Sequence, residues 1–229
     1  MDNGLTESRV PTAPPRGVAI SGIIFSVLYI VSLALVRLSV PADPTDPGEW
    51  LADPGYRNWI GMSLNLVPFT GIAFLWFMAT LRNRIGIRED RFFATVFLGS
   101  GLLFVGMLFV TVAISRSLLD TFSTGHAVQS EAYRVGRATA YALMNTFGVK
   151  MAAVFMFVTS TIGLRTAVLA RWVSIVGFAS GLVLLLVISN FAWIAQIFPL
   201  WVLLVSTYIL LTDIHQGSPQ ERHRSINSA

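Results

Sequence analysis

Apolar runs of membrane-spanning length recur six times along this 229-residue chain. A hydrocarbon core of about 30 Å requires roughly 20 residues of α-helix at 1.5 Å per residue, and each run is close to that length. Because a helix satisfies its own backbone hydrogen bonds in lipid, the pattern predicts an all-α fold, a six-span transmembrane helical bundle. The predicted spans are residues 17–37, 58–81, 92–115, 139–163, 172–189 and 193–212.

The composition supports a membrane protein. Hydrophobic residues make up 54% of the chain and charged residues 12%, with a mean hydropathy of +0.67. Soluble domains carry about 25% charged residues. The chain has no cysteine, which excludes disulfides, thiolate metal sites and cysteine nucleophiles. A formal net charge of +4 is modest and does not indicate a nucleic-acid partner.

The connections between spans differ in how clearly the sequence marks them. Residues 41–57 contain four prolines and four acidic residues, so no helix continues through them. The weakest break is at residues 189–193. A single helix over residues 172–212 would be about 60 Å long, twice the hydrocarbon core, so two short spans joined as a hairpin are predicted there.

The arginines predict the orientation. Ten lie in the termini and in the second and fourth loops, and five lie on the other side. The positive-inside rule then places both termini in the cytoplasm. Three units are predicted, a disordered tail at 1–16, a membrane domain at 17–213 and a disordered tail at 214–229. The first span is expected to be a retained anchor, although Val40 and Ala42 loosely imitate a signal-peptide cleavage site.

Lys150, the only lysine in the chain, lies within the fourth predicted span. A lysine at the centre of a spanning helix disfavours insertion by roughly 2.5–3.5 kcal/mol. The six spans contain no Asp or Glu, so the expected partners are backbone carbonyls, Asn65, Asn145, Thr146, water or an anion. Two interpretations stay open, a structural or snorkelling lysine and a lysine that lines an anion or lipid-headgroup site. A helical wheel groups it with Thr139 and Thr146 on a face that suits a bundle interior.

A second polar stripe lies on the opposite face of the same predicted helix. Together with one arginine of the third span it forms a predicted outer-mouth charge cluster of Arg116, Arg134, Arg137 and Tyr141. Ordinary interfacial ion pairs explain it as well, since Arg116–Asp120 and Glu131–Arg134 have i, i+4 and i, i+3 spacing. One pocket uses both this cluster and Lys150 only if the helix is broken.

Small residues and prolines predict where helices approach or bend. Gly177 and Gly181 form a small-xxx-small pattern, which predicts close packing within the protomer or between copies, in a homo-oligomer or with a membrane protein partner. Gly99, Gly101 and Gly106 have a similar meaning. Pro68 and Pro199 each free a carbonyl, and each follows a polar residue, which hints at a cavity.

No cofactor or metal is predicted. The three histidines, His126, His215 and His223, lie outside the spans, which argues against a membrane haem or a buried histidine–metal centre. Asp120, His126 and Glu131 in the outer loop are a conceivable metal or acid–base set, but their spacing is irregular. The chain also lacks a glycine-rich phosphate loop.

Two stretches of sequence resemble a family of uncharacterised multi-pass bacterial membrane proteins. They are Arg57-Asn-Trp-Ile-Gly through Phe74-Leu-Trp-Phe, and Glu89-Asp-Arg-Phe-Phe-Ala-Thr-Val-Phe-Leu-Gly-Ser-Gly. The resemblance implies a bacterial plasma membrane and carries no reaction with it.

Three functions are expected, in this order. The first is a non-enzymatic membrane protein that binds or passes a small anionic or amphipathic ligand or lipid, with Lys150, Asn145, Asn65 and Thr146 as candidate binding residues. The second is a non-catalytic scaffold or accessory subunit of a membrane complex. The third is a membrane enzyme that uses the outer-loop residues.

Overall fold

The computed structural model describes residues 16–39, 53–85, 91–122, 131–186 and 193–226, and these are almost entirely helical with no strand. The all-α prediction is therefore confirmed for this part of the chain. A π-helical segment, Leu143–Gly148, joins α4 to α5, and a 3₁₀ turn, Ile194–Gln196, precedes α7. The helices are α1 (Arg16–Ser39), α2 (Pro54–Ile85), α3 (Arg91–Phe122), α4 (Glu131–Ala142), α5 (Val149–Thr166), α6 (Arg171–Leu186) and α7 (Ile197–Ile226).

Five helical stretches in the described residues are long and apolar enough to cross a membrane, which indicates a membrane protein. They are Gly17–Val36, Pro54–Ile85, Arg91–Thr121, Glu131–Thr166 and Ile194–His215. The predicted count of six is not confirmed, because α6 has only 16 residues, or about 24 Å. The predicted break at residues 189–193 lies mostly outside the described residues, but α6 and α7 pack side by side as two helices, since Trp172 contacts Tyr208 and Gly177 lies beside Trp201.

Contacts between helix ends show that α1 runs antiparallel to α2, and α3 antiparallel to α5. The Ser21 hydroxyl of α1 lies 3.4 Å from the Thr80 hydroxyl near the end of α2, and the Ser63 hydroxyl near the start of α2 donates to the Ser32 carbonyl at 2.7 Å. The guanidinium of Arg165, at the end of α5, lies over the Phe93 ring near the start of α3.

These contacts define two ends of the bundle. We call the end with the α1, α3 and α6 N-termini the arginine-rich end. Its described side chains include five arginines and a single acid, Asp213, and the arginines are Arg82, Arg84, Arg91, Arg165 and Arg171. The opposite end holds four described arginines and three acids, namely Arg57, Arg116, Arg134, Arg137, Asp53, Asp120 and Glu131.

Phenylalanine rings fill the centre of the bundle. Phe74 of α2 is completely buried, and its ring centroid lies 4.8 Å from Phe25, 5.2 Å from Phe155, 5.4 Å from Phe104 and 5.6 Å from Phe198. The five rings belong to α1, α2, α3, α5 and α7, and several pairs are edge-to-face, which is a favourable aromatic geometry. We call these five rings the aromatic centre, and it provides packing contacts among five helices.

Large apolar side chains also cover the outside of the bundle. A soluble monomer rarely exposes a continuous apolar surface of this kind, whereas lipid tails solvate it well. Exposed aromatic residues are among them, a residue type that is enriched at the headgroup level of membrane proteins. Examples from four helices are Trp59, Phe69 and Trp76 on α2, Leu102 and Val110 on α3, Trp172 and Leu186 on α6, and Leu200 on α7.

The π-helical segment changes the geometry that the sequence predicted for the fourth span. The Val149 N–H donates to the Met144 carbonyl, five residues back, where an α-helix would use the residue four back. Because a π turn takes up about one residue more than an α turn, it offsets the two halves of the helix by about 100°. Tyr141 and Lys150, which an unbroken α-helix would place on opposite faces, are therefore no longer opposed.

The prolines and glycines behave less uniformly than the sequence suggests. Pro68 lies inside the continuous helix α2, and Pro199 lies in the first turn of α7, where a missing N–H costs little. In α3, a Cβ at Gly101 would overlap Met78, but at Gly99 and Gly106 it would meet no atom within 4 Å. Within the described residues the predicted close approach is therefore seen at Gly101 and not at Gly99 or Gly106, where packing against a second copy or a partner stays a prediction.

The predicted tails are only partly described. Residues 1–15 lie outside the described part of the chain. The predicted C-terminal tail begins at residue 214, but α7 is helical through Ile226.

Candidate functional site

The amine of Lys150 donates to two backbone carbonyls at the end of α6. Its Nζ lies 3.2 Å from the Leu184 oxygen and also bonds to the Leu185 oxygen. The side chain is half-buried between α5 and α6. Backbone carbonyls were among the partners that the sequence left open, and two of them bond to the amine.

The two carbonyls belong to the last described turn of α6. The helix dipole gives the C-terminal side of a helix a partial negative charge, which favours a cation there. Each hydrogen bond to a charged donor contributes about 1.5–3 kcal/mol, so the two bonds of Lys150 are comparable with the cost of placing the lysine there.

The other predicted ligand-binding residues differ in their surroundings. The Asn145 amide donates at 3.1 Å to the Tyr141 carbonyl of its own helix. Thr146 is exposed, and Asn65 is exposed on α2. Thr139, assigned to the same face as Lys150, is also exposed, whereas Lys150 itself is half-buried, so this face has a mixed environment. Ligand binding by these residues stays a prediction.

The predicted outer-mouth charge cluster is spread over two helices. Arg116 bonds to Asp120 at 3.1 Å, as its spacing predicts, and both side chains are exposed. The second predicted pair, Glu131 with Arg134, is not among the ion pairs of the described residues. Arg134 is exposed on α4.

Arg137 and Tyr141 are half-buried, so the outer-mouth cluster has a mixed environment. The side chain that α4 inserts into the protein is instead Tyr133. It is buried with Ile60, Leu64 and Leu119 in a small core at the opposite end. Sequence reasoning missed Tyr133 because it lies beside the charged stripe and carries no charge itself.

Gly177 and Gly181 are buried within the chain. A Cβ on Gly177 would overlap the Ser160 hydroxyl of α5 and come within 2.7 Å of the Trp201 indole nitrogen of α7. At Gly181 it would lie 3.3 Å from the Ala153 carbonyl. The close packing predicted from this motif is thus within the protomer. Association with a second copy or a partner through this part of the chain stays a prediction.

At the arginine-rich end, an ion pair that sequence reasoning did not identify joins α2 to α7. Arg84 of α2 donates to both carboxylate oxygens of Asp213 in α7, at 2.8 and 2.6 Å. The side chains are 23% and 9% exposed. The sequence contained only a weak indication of this ion pair, because Asp213 lies one residue beyond the predicted span and 129 positions from Arg84.

The outer-loop set cannot be assembled from the described residues. Asp120 lies near the end of α3 and Glu131 begins α4, whereas His126 lies outside the described part of the chain. An enzymatic role for these three residues stays a prediction.

Comparison with models of protein families, with curated proteins and with solved structures finds no match for this chain. Function is therefore inferred from the geometry of the chain itself.

Proposed function

We propose that the chain is an integral membrane protein with six membrane helices, including the short α6, and with both termini in the cytoplasm of a bacterial plasma membrane. The support is the unequal distribution of charge. At the arginine-rich end five described arginines face one described acid, while at the opposite end four face three. Cationic loops favour the cytoplasmic side.

The absence of cysteine makes this topology easy to test. Asn83, at the arginine-rich end, and Ser117, at the opposite end, are both exposed. Single substitutions Asn83→Cys and Ser117→Cys in intact cells should differ in labelling by a membrane-impermeant maleimide. Labelling of Ser117→Cys alone supports the proposed orientation, and labelling of Asn83→Cys alone reverses it.

We further propose a non-catalytic role as a scaffold or accessory subunit of a membrane complex. The observation that carries this proposal is the aromatic centre, in which five rings from five helices pack directly against one another. The hydrogen bonds of Lys150 agree with a scaffold role, since its amine contacts the carbonyls of α6. Both features stabilise a packed bundle.

Native mass spectrometry of the protein, extracted from its own membrane in a gentle detergent, tests the scaffold role. A protein partner at fixed stoichiometry, also captured by crosslinking in the membrane, is expected. A chain that is recovered without any protein partner, both before and after crosslinking, contradicts the proposal.

Binding of a small anionic or amphipathic ligand at Lys150 is the second candidate. Its support is the half-buried ammonium group of Lys150, which lies between two apolar helices, α5 and α6. Lys150→Met and Lys150→Arg separate the candidates. A structural role predicts that Met lowers the melting midpoint while Arg, which keeps donors, largely restores it. A ligand site predicts a Met variant of parental stability that loses a bound mass.

A further inference from the structure

The turn between α5 and α6 forms a compact cationic corner at the arginine-rich end. Four residues separate Thr166 from Arg171, and the turn begins with Ala167 at a φ of 55°, in the left-handed region. Arg165 and Arg171, on the two sides of this turn, are both exposed. We call Arg165, Arg171 and the neighbouring Trp172 the α5–α6 corner.

An aromatic ring contacts one cation of the corner, Arg165, and Trp172 directly follows the other in sequence. The Arg165 guanidinium carbon lies 4.5 Å from the centroid of the Phe93 ring, a cation–π distance. Trp172 is exposed, and its ring meets the Tyr208 ring edge-on at 6.2 Å. Tryptophan and tyrosine favour the headgroup level of a bilayer, because one part of the ring system is apolar and another is polar. The corner therefore combines charge with a marker of interfacial depth.

The corner has no carboxylate to neutralise it within the described part of the chain. Asp213 is the one described acid at this end, and Arg84 binds both of its oxygens. Glu89 and Asp90, which precede α3, lie outside the described residues. By contrast, Arg116 at the opposite end is paired with Asp120. Among the described residues, no carboxylate is paired with Arg165 or Arg171, and both side chains are exposed beside apolar helix surfaces.

We propose that the α5–α6 corner binds the phosphate headgroup of an anionic phospholipid. Charge complementarity identifies the partner, because guanidinium groups donate parallel hydrogen bonds to phosphate oxygens. Basic sites between membrane helices with interfacial aromatic neighbours suit such headgroups. The acyl chains then lie along the exposed apolar surface of α6, which includes Ile175 and Leu182. This inference requires that the chain lies in a bilayer, and it does not depend on the scaffold role.

Lipid retention on the intact protein tests the proposal. The full-length chain is equilibrated with equal amounts of phosphatidylglycerol and phosphatidylcholine in mixed micelles, and bound lipids are counted by native mass spectrometry. Each cationic side chain near the surface contributes on the order of fivefold to anionic lipid affinity. The double variant Arg165→Gln/Arg171→Gln should therefore lose at least tenfold in retained phosphatidylglycerol. Retention of phosphatidylcholine should not change.

A matched double variant controls for total charge. Arg116→Gln/Arg134→Gln removes the same charge from exposed positions at the opposite end and should change phosphatidylglycerol retention less than twofold. Equal losses in the two double variants, or no preference of the parent for phosphatidylglycerol, would overturn the proposal. So would binding of inorganic phosphate alone with the same dependence on Arg165 and Arg171.

A charge-preserving variant guards against a folding artefact. Arg165→Lys/Arg171→Lys keeps both cations and should retain more than half of the parental phosphatidylglycerol while migrating as a single species on size exclusion. If this variant folds and yet loses the lipid as completely as the glutamine variant does, charge complementarity is not the cause and the proposal fails.

Discussion

Replacement of Phe74 by alanine should destabilise the protein more than any other single truncation in the bundle. Phe74 is 0% exposed and its ring contacts the rings of Phe25, Phe104, Phe155 and Phe198 at 4.8–5.6 Å. Truncation leaves a hole at the meeting point of five helices, which cannot collapse without moving several of them.

The expected magnitude follows from the cavity and from the lost ring contacts. Buried Phe→Ala substitutions cost about 3–5 kcal/mol. In a bilayer the transfer of the side chain from lipid contributes little, but the lost packing contacts and aromatic pairs, about 0.5–1.5 kcal/mol each, remain. For a chain of this size each kcal/mol lowers the melting midpoint by about 2–4 °C, so a decrease of roughly 6–20 °C is expected.

The assay is the melting midpoint of the purified protein in one detergent, followed by intrinsic fluorescence. Phe69→Ala is the matched control, because Phe69 lies on the same helix and is 62% exposed. It should change stability by less than about 0.5 kcal/mol. Phe74→Leu, which fills most of the hole, should fall between the two. Equal melting midpoints for Phe74→Ala and Phe69→Ala would refute the packed aromatic centre and would indicate a cavity at Phe74.

Three further predictions concern other contacts. Arg84→Gln should lower the melting midpoint, and Asp213→Asn in the same chain should add little more, since breaking a mostly buried pair from either side removes the same bonds; additive losses would contradict their coupling. Ala167→Gly should raise the midpoint by a few degrees, because glycine adopts the left-handed conformation without strain; a lower midpoint argues against that backbone. Gly177→Ala should cost about 1–3 kcal/mol through overlap with its neighbours, whereas Gly106→Ala should be neutral or stabilising; the reverse order would refute the predicted packing of α6.

Sequence reasoning identified the helices well because the apolar runs are long. Five of the six predicted spans correspond to helices that are long enough to cross a membrane. The length limit also predicted two helices within residues 172–212, and the described parts of α6 and α7 pack together as two helices. The predicted count of six spans was not confirmed, because α6 is described only as far as Leu186 and is too short to count as a span. Helix ends depend on the following residues and on tertiary contacts, which a hydropathy pattern does not contain.

The candidate site was less predictable than the fold. Lys150 was correctly identified as a residue that needs a partner, and carbonyls were among the alternatives. Nothing in the sequence indicated that the carbonyls of Leu184 and Leu185 would supply it, since they are backbone atoms 34 and 35 positions away. The π-helical segment was equally hidden, because a helical wheel assumes a constant 3.6 residues per turn.

By itself, the sequence determined that this chain folds into long apolar helices, that these helices suit a membrane, and that charge is concentrated toward one end. Those properties follow from backbone hydrogen bonding and from side-chain solvation, which are local. Only the tertiary structure decided that Lys150 meets the end of α6, that Arg84 bonds to Asp213, and that five phenylalanine rings converge. Such contacts depend on how helices distant in the sequence pack together, and many packings are compatible with the same apolar runs.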